Sequence, residues 1–169
     1  MKLTELLIAD LDRELPITKR ALEAVPEGRD DWKPHPKSMA FGRLAGLVSL
    51  MPSWLTMMVD QEEFDVAPAS PPAGGSQFSM PAHKDLAATV EKGFAGARAA
   101  IAGTTDAHLL ETWRLKARGQ VVAEGTRLTM MRDALMHLSH HRGQLTVYLR
   151  LNDVPVPTVY GPTADDPRF

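Results

Sequence analysis

The sequence predicts an all-α fold: a bundle of about four helices in a single domain covering residues 1–169, with a short β-hairpin before the last helix. Three observations carry that expectation. Apolar residues recur at helical spacing in four long segments. Stretches dense in proline and glycine separate those segments. The chain of 169 residues is 44% apolar, enough to fill one core, and no period of about 20–50 residues repeats along it.

The first helix is expected over Leu3 to Val25, where Leu3, Leu6, Leu7, Leu11, Leu15 and Ile17 fall near one face. Pro16 predicts a kink or break there, because proline removes a donor and its ring crowds the preceding turn. Thr4 and Glu5 give a weak start signal. Pro26 to Met39, "PEGRDDWKPHPKSM", reads as a loop. The second helix is expected from about Ser38 to about Val59. It is apolar around much of its circumference, which predicts extensive burial, and Pro52 should bend it.

Glu62 to Ala82 holds Pro68, Pro71, Pro72, Gly74, Gly75 and Pro81, and reads as a long surface loop. Its Ala67 to Gln77 stretch is a candidate lid. The third helix is expected from about Lys84 to about Ala102, with Leu86, Val90, Phe94, Ala97 and Ile101 as its stripe and Gly103 as its stop. In "ETWRLKARGQVVAEGTR", Trp113 and Leu115 alternate with polar residues ahead of Gly119, then Val121 and Val122 follow, which suggests the hairpin. The last helix runs from about Thr126 to Leu151, stopped by Asn152 and the prolines of "NDVPVP". The tail "TVYGPTADDPRF" reads as extended.

Composition removes several function classes. The 19 basic and 21 acidic residues give a net charge of -2 with no basic stripe, so neither nucleic acid nor an anionic membrane is expected as a partner. There is no cysteine, which excludes disulfides, thiolate nucleophiles and thiolate metal ligands. Any metal must rest on histidine, carboxylate, amide or water. No apolar run reaches the roughly 18 residues of a membrane span, and "MKLTELLIADLDREL" has no apolar leader, so a cytoplasmic protein is expected.

The chemistry is concentrated in "DALMHLSHHRGQLTVYLRL", Asp133 to Leu151, which carries three of the six histidines. His137 and His141 are an i, i+4 pair, so their imidazoles project from successive turns of one helix face and can direct nitrogens at one ion. His141 falls within the arc of Met130, Ala134, Leu138, Leu145 and Tyr148. Asp133 and Gln144 lie on its edge and His140 further out. Two readings stand side by side: a metal pair, for which imidazole suits Zn, Ni or Fe, or two histidines hydrogen-bonded within the core. Arg142 reads as an ion-pair anchor and the methionines as core filler.

"HLSHHRGQLTVYLRL" resembles the signature of the DinB/YfiT-like superfamily of proposed metalloenzymes. "DWKPHPKSMAFGRLAGLVSLMPSWL" looks like that family's loop and second helix, and "VPTVYGPTADD" like a closing segment found in one branch. The resemblance covers nearly the whole chain. It implies a four-helix bundle, a homodimer, and a divalent metal held by three histidines, two on the last helix and one on the second. His137 and His141 match the former two. The third position, aligned through "LAGL", is Leu47, and no histidine occurs between His35 and His83. The ligand set is thereby reduced to two imidazoles, binding metal weakly or not at all. Ser49, Met51, His35 and His83 are poor replacements, and His140 suits a surface or supporting role.

Two functions follow from the resemblance and its departure. One is a metal-dependent enzyme of thiol-transferase or hydrolase type acting on a small molecule, with Tyr148 a possible proton donor against its simpler role as a core-edge residue. The other is a non-catalytic bundle, either binding a small apolar ligand where Leu47 has made the pocket less polar or serving as a dimeric stress-related scaffold.

Overall fold

The structure, a computed structural model, describes residues 2–69 and 80–168. The candidate lid from Ala67 to Gln77 lies outside the described residues from position 70 onward. The elements in chain order are α1 (Leu3–Glu23), α2 (Phe41–Leu50), α3 (Ser53–Asp60), β1 (Glu63–Asp65), a 3-10 turn at His83–Asp85, α4 (Leu86–Ala102), α5 (Asp106–Leu109), β2 (Thr112–Ala117), β3 (Gln120–Thr126) and α6 (Arg127–Leu151). Helix α4 packs against α1, α2 and α3, and α6 packs against α1, α2 and α3. Leu7, Leu11, Phe41, Leu44, Leu55, Ile101, Met131 and Leu138 form the centre of the core.

The protein is mostly helical but not all-α. The expected hairpin is present as β2 and β3, and β1 joins it to make a sheet of order β1-β2-β3. β1 pairs parallel to β2, with Phe64 opposite Leu115, and β3 pairs antiparallel to β2. The hairpin turns through Arg118 at φ 54° and Gly119 at φ 75°, and the glycine supplies the left-handed backbone at no steric cost. Asp65 stabilises that turn from the neighbouring strand. Its carboxylate accepts from the N–H groups of Gly119 at 2.6 Å, Arg118 at 3.1 Å and Ala67 at 2.9 Å. These bonds hold its carboxyl below the usual aspartate range, the Gly119 bond contributing most.

Two prolines behave differently. At Pro16, α1 continues through the proline, so the break that was one of the two expected outcomes does not occur. Proline inside a helix costs about 3 kcal/mol. Here buried residues lie on both sides of it, Leu7 and Leu11 before and Ile17, Ala21 and Leu22 after, so packing of one continuous face outweighs the lost bond. At Pro52, where a bend is expected, α2 gives way to α3. Met51 and Pro52 keep right-handed helical dihedrals, so the path continues while the hydrogen-bond ladder is interrupted.

The helix starts draw on distant residues. Asp106, on the unanticipated α5, accepts from the N–H groups of Leu3 at 3.0 Å and Thr4 at 3.1 Å, capping α1 from 103 residues away. Thr126 caps α6 locally, accepting from the Thr129 N–H at 3.2 Å. The C-terminal segment after α6 follows the helices, with Val156, Thr158 and Asp166 buried.

Candidate functional site

Helix α6 presents His137 and His141 from successive turns with ring centroids 4.5 Å apart, as their spacing predicts. His141 is buried and His137 is exposed. The Trp54 ring of α3 lies 6.1 Å from His137, and His140, exposed, lies 5.2 Å from His141. Burial first, then the neighbouring imidazoles of His141 and His140, push the pKa of His137 below its ordinary 6.5, so it is neutral at pH 7.

Gln144 was without a role in the sequence reading. Its Oε1 lies 2.8 Å from Nδ1 of His141. A carbonyl oxygen accepts, so this contact assigns the ring proton to Nδ1 and leaves Nε2 with a free lone pair. The signal was available in the sequence as the i, i+3 spacing within "HHRGQ".

The other candidate residues are accounted for elsewhere. His83 Nε2 lies 2.8 Å from the Val25 carbonyl, and Nδ1 of the exposed His35 accepts from the Lys37 N–H. His108 contacts the Val59 carbonyl and Glu111. The Ser49 hydroxyl donates to the Gly46 carbonyl, and Met51 is a core residue. Tyr148 donates to the Met39 carbonyl and its ring meets Trp32 and Phe41 edge-on, so it is a core tyrosine directed away from the imidazoles. Leu47 is half-buried against the core. Arg142 is the expected ion-pair anchor: it is fully buried, with Nη1 2.7 Å from Glu14 Oε2. Thr18 and Tyr160 complete its surroundings.

These donors do not form the three-histidine centre that the resemblance implies. Among the described residues, no group of three or more His, Cys, Asp or Glu side chains is placed to hold one ion. What remains is a two-imidazole arrangement, with the Gln144 contact orienting one ring.

The sequence reading missed the cavity beside this pair. A space of about 280 Å³ opens between α3, the sheet and α6. Trp54, Met57 and Met58 line it from α3, Phe64 and Val66 from β1 and the residue after it, Trp113 and Leu115 from β2, and Met130, Asp133, Ala134 and His137 from α6. Its walls are mostly apolar, with Asp133 and His137, one helical turn apart, as the titratable groups among the described residues. His141 lies behind His137 rather than on the cavity wall.

The fold defined by these elements is DinB-like. A DinB-like protein from Bacillus cereus ATCC 10987 superposes with a TM-score of 0.63 at 19% identity, over 88% of this chain and 92% of that one. A DinB-like protein from Bacillus subtilis gives 0.64 at 16% identity, over 88% and 92%. A candidate DinB-family member from Exiguobacterium sibiricum 255-15 gives 0.63 at 12% identity, over 90% and 93%. No family model matches the sequence, and no curated protein matches it. Among the described residues, no helix is long and apolar enough to cross a membrane.

Proposed function

We propose that this DinB-like protein binds a small, largely apolar molecule in the cavity between α3, the sheet and α6, with the imidazole of His137 at its mouth. The observation that carries this reading is the cavity itself: a space of about 280 Å³, walled mainly by aromatic and methionine side chains, with Asp133 and His137 as its titratable groups among the described residues. Ligand sites are of this kind, apolar with a few convergent polar groups. The test uses Ala134, a buried wall residue on α6. Ala134→Leu fills the space. Toluene-sized aromatics should shift tryptophan fluorescence and raise the melting temperature of the wild type but not of a folded Ala134→Leu variant. Equal responses would refute the reading.

A second reading is favoured by the His141–Gln144 contact, which leaves Nε2 of His141 free as a ligating imidazole should be. In it, His137 and His141 hold a divalent ion (Zn, Ni or Fe) weakly, as in a metal-dependent transferase or hydrolase. When bound, such an ion lowers the pKa of a water or thiol. Metal titration of the wild type against a His137→Ala, His141→Ala double variant separates this reading from the first.

A homodimer is part of the proposal. It would cover apolar residues that α6 leaves exposed, including Met136, Val147 and Leu151. The mass in solution, measured by light scattering, tests it.

A further inference from the structure

We propose that the cavity takes a cation: a small molecule with an apolar body and one ammonium-type head, the body held among the aromatic and methionine walls and the head against Asp133. This rests on the reading of the cavity as a binding site and specifies the chemistry that the site accepts.

The argument is one of charge complementarity. Asp133 is the acidic residue on the wall, and no lysine or arginine lines the cavity among the described residues. Its carboxylate is exposed at the mouth and pairs with no cation among the described residues. An anionic ligand would therefore meet a like charge with no lysine or arginine on the described wall to offset it. A neutral ligand would leave the carboxylate to water. A cation gains the Coulomb attraction of a carboxylate set beside a low-dielectric wall, where such attraction is stronger than in bulk water.

The remaining walls favour the same ligand. Trp113 is among the lining residues, and of the aromatic side chains tryptophan attracts cations best. Met57 and Met58 add polarisable sulfur that adapts to an irregular body. A space of about 280 Å³ is near the lower end for ligand pockets, which limits the body to about one ring or a short branched chain.

The experiment titrates the full chain, in the presence of a chelator, with three probes of matched shape: 2-phenylethylammonium, 2-phenylethanol and phenylacetate. Binding is read by tryptophan fluorescence and calorimetry. The ammonium probe should bind about five- to tenfold more tightly than the alcohol, with phenylacetate weakest. In Asp133→Asn that preference should vanish while the alcohol still binds. Equal affinity for ammonium and alcohol in the wild type, or a preference that survives in Asp133→Asn, overturns the charge inference and leaves the cavity reading standing. Saturable binding by none of the three overturns both.

Discussion

Arg142 Nη1 and Glu14 Oε2 meet at 2.7 Å where α6 crosses α1, and the arginine has no exposed surface. The Tyr160 hydroxyl, from the C-terminal segment, contacts the same Glu14 carboxylate at 2.9 Å. Removing one member of a buried pair strands the other charge, at a cost of about 3–5 kcal/mol. Glu14→Ala should therefore lower unfolding stability in urea by roughly that amount. Glu14→Leu combined with Arg142→Met should recover much of the loss, since neither charge is then buried. A Glu14→Ala loss below about 1 kcal/mol would mean that water already reaches the pair.

Asp106 gives a pH dependence with a definite sign. The N–H groups of Leu3, then Thr4, hold its carboxyl below the ordinary 3.8. A depressed folded-state pKa means that the unfolded chain takes up the proton first. The stabilisation is complete above about 3.8 and is lost as the pH falls through the lower folded-state value. Asp106→Ala should melt at a lower temperature than wild type at pH 7, and the gap should close in acid below pH 3.8. A gap that persists unchanged at pH 2 would point to lost packing instead.

Gly93 marks the closest approach of α4 to the α2–α3 junction. A Cβ there would lie 3.2 Å from both Pro52 Cβ and the Ser53 backbone nitrogen. Alanine is favoured over glycine in a helix by about 1 kcal/mol. Overpacking against a rigid proline and backbone costs about 1–3 kcal/mol. Gly93→Ala should be net destabilising, measured by the denaturant midpoint; a more stable variant would show that α4 shifts without strain.

The imidazole pair predicts its own metal behaviour. Zinc titrated into wild type should bind weakly, and the His137→Ala, His141→Ala variant should lose that binding. Leu47→His, which places an imidazole where the sequence resemblance implies a third ligand, should tighten it. Affinity unchanged by Leu47→His would mean that the half-buried position 47 does not reach the pair.

The long helical segments were legible because each carries an apolar stripe, whereas the four-residue α5 is too short to show one, and Pro52 and Gly119 punctuate the chain where α2 ends and where the hairpin turns. β1 was hidden for a physical reason. Three residues cannot display an alternating pattern, and Glu63–Asp65 becomes a strand only by pairing with Arg114, Leu115 and Lys116. Pro16 does not end α1, because buried residues on both sides of it outweigh its local penalty. At the site, His137 and His141 were readable from their spacing, since both lie on one helix. The cavity was not, because its walls come from α3, the sheet and α6, which meet only in the folded chain.

Because α1 draws its cap from Asp106 and its charge partner from Arg142, it is completed only by segments synthesised after it. While the ribosome works toward the C-terminus, the Leu3 and Thr4 amides of α1 lack their Asp106 cap and Glu14 lacks its Arg142 partner. A nascent chain halted at about residue 100 should therefore leave α1 accessible to protease and to chaperones. Protection should arrive in one step once α6 emerges, so that the protein folds as a unit rather than helix by helix. Limited proteolysis of stalled chains of increasing length would detect that step.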